Sequence, residues 1–216
     1  GGYQHSIAMN STGWVYVWGD NYWGQLGDDT MDKTLPHDQQ TQDFATRLLG
    51  PTSGVLPNQN IEDFPAVDVE AGADHSLIVT GSDQYAGCNS VFSFGWGKLG
   101  QNGNGLATER DFVPVEASSS LVGHVIPAVS AMGSHNVLLS AWEPFDTCNH
   151  GVTTGDTTGV SSTSVGSIFT WGDNREGQLG IGAGSGLPPC TLGSASVACE
   201  TTTNMVVQLS NAIAVP

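Results

Sequence analysis

Apolar and polar positions alternate along this chain in short runs, which is the pattern of half-buried β-strands. The run Val15-Tyr16-Val17-Trp18 is one example. No segment has the spacing of a long amphipathic helix, and no apolar stretch approaches the length of a membrane span. Glycine-rich stretches separate the runs, as expected for tight turns that need positive φ. The pattern predicts an all-β protein.

The runs recur in the same order along the chain. Three start blocks align, at 1–9, 71–79 and 132–140. Each is followed by a second aligned block, at 15–27, 90–100 and 167–180. Other strand-like segments flank these blocks, at 64–70, 112–118, 124–131, 204–210 and 211–216. Units of this length and strand number are typical of β-propellers. We predict three four-stranded, propeller-type blades in one continuous array, with repeats at 1–70, 71–131 and 132–216.

The second block contains the most distinctive sequence motif of the chain. WGDNYWGQLG at 18–27 returns as WGDNREGQLG at 171–180. We interpret the aromatic residue as the end of a strand that packs between neighbouring sheets, and the Asp-Asn pair as the start of a turn. The middle copy, FGWGKLG at 94–100, is interpreted as three residues shorter. A turn tolerates such a loss better than a catalytic motif does, so the repeat indicates a duplicated structural unit.

These blocks resemble the regulator of chromosome condensation repeat family, whose pattern is Gly-x-x-His-Ser followed by Trp-Gly-x-Asn-x-x-Gly-Gln-Leu-Gly. The third copy departs from it, with Asn136 where His is expected. The resemblance implies a propeller, but it leaves the function open, because the family includes nucleotide-exchange factors, enzyme inhibitors and interaction platforms. The predicted structural repeat residues are Gly2, His5, Trp18, Gly19, Gly24, Leu26, Gly27, Gly72, His75, Gly97, Leu99, Gly100, Gly133, Trp171, Gly172, Gly177, Leu179 and Gly180.

The charge balance excludes some partners. The chain has 21 acidic and five basic residues, a net charge of -16. This argues against nucleic acid and against anionic membrane surfaces, while the lack of a long apolar run argues against membrane insertion. The acidic side chains either keep the surface solvated or bind Ca²⁺ at Asp28, Asp29 and Asp32. The absence of an Asp-x-Asp-x-Asp-Gly loop favours the first reading, so we expect no metal and no cofactor.

Four cysteines allow three disulfide pairings. We favour Cys190 with Cys199 and Cys88 with Cys148, which places the protein in an oxidising, extracellular or cell-surface compartment. Zinc binding is the competing interpretation. It is disfavoured because no Cys-x-x-Cys occurs and only His150 lies close to a cysteine.

Surface modification is indicated at two places. Asn10-Ser11-Thr12 is an acceptor for an N-linked glycan in a predicted hairpin tip, although an unmodified turn fits it equally well. The Ser/Thr-rich tract at 153–164 is compatible with O-glycans. Binding to other molecules is expected in the insertions between strands, at 28–63, 101–111, 141–166 and 181–203.

Catalysis is not indicated. His5-Ser6 and His75-Ser76 suggest a hydrolase pair, but adjacent residues on a strand point to opposite faces. GIGAGSG at 180–186 lacks the lysine and the spacing of a phosphate loop. We therefore predict that the chain is not an enzyme.

The end of the chain runs in register into its beginning. NAIAVP at 211–216 followed by GGYQHS reproduces an internal repeat junction. We expect residues 212–215 to complement the strand at 1–9, through further repeats of a longer chain or through neighbouring copies in a larger ring or head-to-tail assembly. The predicted function is a non-enzymatic extracellular structural or protein-interaction module, and the units would form a longer repetitive chain or filament. The alternative is a secreted binder or inhibitor acting through loops on one propeller face.

Overall fold

The fold is available as a computed structural model. It describes residues 1–28, 35–36, 39–48, 65–81, 89–117, 124–142, 166–181, 190–192, 195–197 and 199–209. Within these ranges the regular elements are β-strands, and no α-helix occurs. The strands are β1 (His5–Met9), β2 (Val15–Asp20), β3 (Thr41–Arg47), β4 (Ala66–Ala71), β5 (His75–Thr80), β6 (Ser90–Gly95), β7 (Asp111–Glu116), β8 (His124–Met132), β9 (His135–Trp142), β10 (Gly166–Asp173), β11 (Cys190–Leu192), β12 (Ala195–Val197) and β13 (Cys199–Leu209).

Antiparallel pairing groups the strands into three blades and a hairpin. Blade 1 is β1-β2-β3, blade 2 is β4-β5-β6-β7, and blade 3 is β8-β9-β10-β13, while β11 and β12 form the separate hairpin. The predicted all-β, propeller-type fold is confirmed. Blades 2 and 3 have the expected four strands, whereas blade 1 has three within the described residues. The segment 211–216, and with it the predicted join to the first strand, lies outside them.

Each sheet is offset by one strand from the sequence repeat. β4 ends the first repeat but pairs with β5, and β8 likewise pairs with β9. The strand that precedes each histidine block therefore belongs to the sheet that follows it. The repeat boundaries at 70/71 and 131/132 divide the sequence and not the sheets, and they stay a prediction as domain limits.

The core consists of two apolar layers, one on each side of blade 2. Alternation along β5 supplies both: Ile78 faces blade 1, while Leu77 and Val79 face blade 3. All three side chains are fully buried. Such burial of both faces requires a continuous apolar run, which is why LIV stands in β5. Blade 2 is thus fixed from both sides.

The start of the third repeat was aligned one residue out of place. His5, His75 and His135 stand opposite Gly19, Gly95 and Gly172, respectively, in the strand pairing. His135 is therefore the counterpart of the two other histidines, and the prediction that Asn136 replaces them is wrong. Because side chains alternate between faces, a slip of one residue would move every side chain of β9 to the other face. The same correction moves Gly133 to the position of Tyr3 and Ala73.

The middle turn is as long as the others, so the prediction of a three-residue loss is also wrong. Positive φ marks the matching glycines: Gly95, Gly100 and Gly103 have φ of 105, 81 and 66°. The first turn has 103, 87 and 66° at Gly19, Gly24 and Gly27, and the third has 108, 75 and 69° at Gly172, Gly177 and Gly180. The spacing of these glycines is the same in all three turns.

Hydrogen bonds from the turn backbone to a glutamine side chain support the corrected alignment. The Leu99 N–H donates to Oε1 of Gln101 at 2.9 Å, as the Trp23 N–H donates to Oε1 of Gln25 at 2.8 Å. Gln101 is therefore the glutamine of the middle turn. Gly97, Leu99 and Gly100 take the positions of Asn21, Trp23 and Gly24, and not those of Gly24, Leu26 and Gly27.

The middle turn reaches the common shape with a different pair of side chains. In the first turn, Oδ1 of Asn21 accepts the Leu26 N–H at 2.9 Å. Gly97 and Asn102 occupy these two positions in the middle turn. A Cβ on Gly97 would lie 2.5 Å from Nδ2 of Asn102. The Asn102 amide thus fills space that an asparagine at the first position would need, and it donates to Oδ2 of Asp111 at 2.6 Å.

Exchange of this pair tests the corrected alignment. Gly97→Asn should lower the free energy of unfolding by about 1–3 kcal/mol, because the new side chain overlaps the buried Asn102 amide. Asn102→Leu alone should also destabilise, since Asp111 loses a donor. The double variant rebuilds the Asn–Leu pair of the first turn and should be more stable than Gly97→Asn. Urea denaturation of the three variants measures this, and purely additive losses would contradict it.

Candidate functional site

Two buried histidines connect each blade to the next. Nε2 of His5 in blade 1 lies 2.9 Å from Oγ of Ser76 in blade 2. Nε2 of His75 in blade 2 lies 2.8 Å from Oδ1 of Asn136 in blade 3. All four side chains are buried. We call these four residues the histidine seam.

The partners of the seam determine where its protons lie. Ser76 Oγ–H donates to the carbonyl oxygen of Gln25 at 2.8 Å, and Asn136 Nδ2–H donates to that of Gln101 at 2.7 Å. Because Ser76 has a single hydroxyl proton, His5 must be the donor in their hydrogen bond. The same holds for the second histidine, since Oδ1 of Asn136 can only accept. Each imidazole therefore carries a proton on Nε2.

This proton arrangement argues against a catalytic serine. The sequence showed that His5 and Ser6 cannot pair, and the fold instead brings His5 to Ser76 of the next blade. Activation of a serine nucleophile requires the imidazole to accept the hydroxyl proton. Here the Ser76 hydroxyl instead donates to the Gln25 carbonyl oxygen, and Ser76 has no exposed surface. The pair connects blades and does not form a nucleophile.

Glycine makes room for each seam histidine. A Cβ on Gly72 would overlap the His75 ring and would lie 2.8 Å from the carbonyl oxygen of Gly133. A Cβ on Gly2 would likewise overlap the His5 ring and would lie 2.6 Å from the Gly72 carbonyl oxygen. Nδ1 of both histidines is buried and has no hydrogen-bond partner within the described part of the chain. Both rings are therefore closely packed against backbone atoms.

Burial makes the seam sensitive to acid. Burial is the main reason that the pKa of His75 is lowered from 6.5 to about 4; the hydrogen bond to Asn136 opposes this shift, and repulsion from His135 adds a smaller decrease. The pKa of His5 is also lowered to about 4, first by burial and then by repulsion from His75. Both histidines are neutral at pH 7, and protonation would leave a buried charge between blades.

Glycines of one blade also seat an aromatic ring of the next. A Cβ on Gly27 would lie 2.7 Å from the ring of Phe94, and one on Gly103 would lie 2.8 Å from Nε1 of Trp171. Both rings are fully buried between blades. The Trp171 Nε1–H also donates to the Gln101 carbonyl at 2.9 Å. Each turn therefore supplies both a surface and an acceptor to the blade that follows.

The other predicted repeat residues shape the turns. At Gly19 and Gly172 an added Cβ would lie 2.8 Å from the Cα of the facing histidine. Leu26 and Leu179 are buried beneath their turns. The backbone N–H of each leucine donates to the asparagine side chain that begins the turn, as the local hydrogen bonds of the Asp-Asn pair predicted.

A half-buried aromatic group lies where blades 1 and 2 meet at their turns. The ring centroids of Tyr22 and Trp23 are 4.7 Å apart in an edge-on arrangement, and those of Trp23 and Trp96 are 5.9 Å apart. The guanidinium of Arg110 lies 4.0 Å from the Tyr22 ring and 5.1 Å from Trp23. We call these four residues the rim cluster. It contains a cation–π contact of the kind that stabilises partly exposed sites.

Asn10 closes the hairpin between β1 and β2. Its Oδ1 accepts from the N–H of Thr12 at 3.0 Å, the Thr12 hydroxyl at 2.8 Å and the Trp14 N–H at 2.9 Å. Asn10 and its neighbours in the tip are exposed. A glycan on Nδ2 would leave the Oδ1 acceptor in place, so the geometry is compatible with modification.

The described residues test only part of the cysteine prediction. Cys199 is disulfide-bonded and fully buried at the start of β13, where it packs with Leu99 and Trp96. Cys88 and Cys148 lie outside the described residues, and the side chain of Cys190 is not described. The pairing of the four cysteines stays a prediction.

The described residues contain no group of three His, Cys, Asp or Glu side chains that could hold a metal ion. Asp28 accepts a hydrogen bond from Asn21 at 3.1 Å, whereas Asp29, Asp32 and His150 lie outside these residues. In the same part of the chain, no helix is long and apolar enough to span a membrane.

Sequence reasoning missed half of the seam. Asn136 and Gln101 were hidden by the two alignment errors, and Ser76 was considered only as a partner of its own neighbour. The serine that follows the histidine in two repeats was the available signal, together with the glutamine of the turn. Neither signal indicated that the contact would form between repeats.

With the two corrected alignments, the turn geometry and the strand register repeat three times along the chain. The family model for the regulator of chromosome condensation (RCC1) repeat matches residues 12–79 and 165–190. The chain therefore contains RCC1-like repeat sequence. The matched residues do not include the middle turn, where Gly97 and Asn102 replace the usual pair.

Several relatives are similar to most of this chain. The probable E3 ubiquitin-protein ligase HERC6 of Homo sapiens is 28% identical over 179 residues, which are 83% of this chain and 13% of that protein. The ultraviolet-B receptor UVR8 of Arabidopsis thaliana is 26% identical over 213 residues, covering 84% of this chain and 42% of the receptor. The chain therefore spans less than half the length of either relative.

Two solved structures are similar over nearly the whole chain. Human WBSCR16 has a TM-score of 0.48 at 16% identity, covering 96% of this chain and 52% of that one. Yeast RCC1 (Prp20), solved with Kap60, has a TM-score of 0.39 at 14% identity, covering 97% and 62%.

Low pH should reduce the stability that the histidine seam contributes, and one substitution tests this pH dependence. The folded pKa of each seam histidine, about 4, lies below the unfolded value of 6.5, so the unfolded chain binds more protons between these values. Stability is fully present above pH 6.5 and is lost as the pH falls towards 4, by on the order of 2 kcal/mol per histidine at pH 5. His75→Gln keeps a donor without the titrating ring, so urea denaturation at pH 7 and 5 should show a smaller loss than in the wild type.

The matched control for this measurement is His135→Gln, at the equivalent but half-buried position of blade 3. Because His135 makes only a minor contribution to the lowered pKa of His75, this variant should reduce the difference between the two pH values much less than His75→Gln does. An equal reduction in both variants would contradict the assignment to the buried seam.

Proposed function

We propose that this chain is an extracellular or cell-surface module of RCC1-like repeats that binds other proteins and catalyses no reaction. The rim cluster is the observation that carries the proposal. Three aromatic rings and one guanidinium from two blades meet there in a half-buried group. Trp, Tyr and Arg are the side chains that dominate the binding energy of protein interfaces. The cluster is therefore suited to act as an interaction hot spot.

The division of labour within the blades supports this role. The buried imidazole, hydroxyl and amide groups of the histidine seam form hydrogen bonds between blades, so they hold the frame together. The rim cluster lies at the end of the strands, where loops and turns present side chains to solvent. A rigid frame with a variable rim is the arrangement of a recognition module.

The relatives support recognition as the contribution of the repeats. One is named a probable ligase and another a receptor, although this chain spans 13% and 42% of them. Proteins with such different activities share these repeats, so we assign binding, and not chemistry, to the shared part. The net charge of -16 favours a basic or neutral partner surface.

A paired tryptophan experiment tests the role of the rim. Trp23→Ala with Trp96→Ala removes the rim rings, whereas Trp14→Ala removes a 40% exposed tryptophan at the opposite end of β2, where Arg47 also stacks on it. Immobilised wild-type chain is used to capture proteins from a secreted and cell-surface fraction, quantified by mass spectrometry. We expect at least a tenfold loss of the specifically captured protein with the rim variant, about 1.4 kcal/mol or more.

The Trp14→Ala chain should retain that protein at the wild-type level. Equal capture by the rim variant and the wild type, with both folded by circular dichroism, would refute the rim as the interaction surface.

The extracellular compartment is supported by the disulfide at Cys199 and by the exposed acceptor sequence at Asn10. Disulfides persist in oxidising compartments. Thiol titration of the denatured, unreduced native protein should find no free thiol among the four cysteines. Two or more free thiols would exclude this assignment. Within the proposal, the module is a unit of a longer repetitive chain or filament.

A further inference from the structure

The middle turn lacks a carboxylate that anchors the two other turns. In the first turn, Nε2 of Gln25 donates to Oδ2 of Asp20 at 2.6 Å. In the last turn, the Gln178 side chain forms a hydrogen bond with Asp173. The corrected alignment places Trp96 at this position of the middle turn, directly after the first positive-φ glycine. The turn glutamine therefore has a carboxylate partner in two turns, whereas the middle turn has an indole at that position.

The backbone at this position is the same in all three turns. Each N–H donates to the carbonyl oxygen of the residue that precedes the histidine of its repeat, at 2.8, 2.8 and 2.9 Å for Asp20, Trp96 and Asp173. The difference is therefore confined to side chains. Gln101 of the middle turn is fully buried, and its Nε2 has no hydrogen-bond partner within the described part of the chain. A buried donor without an acceptor costs stability.

The Trp96 ring connects the middle turn to both neighbouring blades. Its centroid lies 5.9 Å from that of Trp23 in the turn of blade 1. It also packs against the buried pair Leu99 and Cys199, and Cys199 begins β13 of blade 3. The ring is half-buried, so part of it faces solvent. An aromatic side chain that its neighbours already hold in place loses little conformational freedom when a partner binds to it.

We propose that Trp96 is the residue of the rim cluster that determines which protein binds, and that it contacts a neutral, apolar side chain of that protein. The middle turn has this recognition residue in place of the carboxylate anchor of the other turns. The exchange accounts for the buried Gln101 donor that has no acceptor. The inference rests on the proposed binding role and specifies the residue and the chemistry of the contact.

Charge in and around the rim cluster favours an apolar side chain from the partner. The guanidinium of Arg110 lies 4.0 Å from the Tyr22 ring and 5.1 Å from the Trp23 ring. The chain itself therefore supplies the cation of the cluster, and a second cation from the partner would be repelled by Arg110. An acidic side chain would meet the field of a chain with a net charge of -16. An apolar side chain meets neither repulsion and gains by covering the exposed part of the rings.

Three substitutions at one position test the contact. Each immobilised variant is used to capture, from the secreted and cell-surface fraction, the protein that the wild-type chain captures specifically. Trp96→Phe should retain that protein to within about threefold, because a smaller ring keeps most of the apolar contact. Trp96→Asp and Trp96→Lys should each lose it by about tenfold or more. Stronger capture by the Lys variant would indicate an acidic partner side chain, and stronger capture by the Asp variant a basic one; either result would overturn the proposal.

A double-mutant cycle tests whether Trp96 stands where the anchor would be. Gln101→Met removes the amide, including its acceptance of the Leu99 N–H, in any background. In urea denaturation it should raise the unfolding equilibrium constant about tenfold more in Trp96→Asp than in the wild type, because Nε2 gains an acceptor only there. Trp96→Phe is the matched background without an acceptor and should show the wild-type effect. Equal effects in the three backgrounds would contradict the exchange of anchor for recognition residue.

The outcomes separate this inference from the proposed function. Circular dichroism establishes that each variant is folded. Wild-type capture by Trp96→Asp, together with lost capture by the Trp23→Ala, Trp96→Ala double variant, would overturn the inference and leave the rim as the interaction surface. Absence of any specifically captured protein with the wild-type chain would overturn both the binding role and the inference.

Discussion

The hydrogen bond between a buried histidine and the next blade is the constraint on which the rest of this structure depends. A polar group without exposed surface must find a partner, or its desolvation is left uncompensated. His5 pairs with Ser76 and His75 with Asn136, and in both cases the partner donates its own hydrogen bond to the backbone carbonyl of a turn glutamine. Three elements of two blades must therefore be in place at once.

This requirement explains why small residues surround the seam. The histidine ring fits only where Gly2 or Gly72 leaves space beside it. The turn glutamine presents its carbonyl only because its own side chain holds the turn backbone. The glycines, the histidine and the glutamine are therefore parts of one interface and not separate sequence preferences. Stability in such an array is the sum of terms for each blade and for each neighbouring pair.

The sequence predicted much of this fold, and its two errors have a common physical cause. Alternation and glycine-rich turns were enough to predict the strands, their order and the threefold repetition. Both errors arose because residue identities were aligned where the backbone conformation of the turns and strands should have been compared. Matching GKLG to GQLG put a gap into a turn whose three positive-φ glycines keep constant spacing. Matching Gly133 to Gly2 shifted β9 by one residue, against the alternation of its faces. The seam itself was beyond prediction from one repeat, because its bonds join residues 71 and 61 positions apart.

The glycine that seats an aromatic ring belongs to the repeat before the one that contributes the ring. Gly27 receives Phe94, and Gly103 receives Trp171. A single repeat is therefore not an independent structural unit. Its aromatic ring packs on a glycine of the preceding repeat, and its own turn glycine receives the ring of the following repeat. Recombination between repeats would preserve this contact only where the turn glycine of one repeat and the aromatic ring of the next fit together at the new junction. The selection that shapes such a protein acts on adjacent pairs, so we expect sequence change in a turn to be followed by change in the neighbouring repeat.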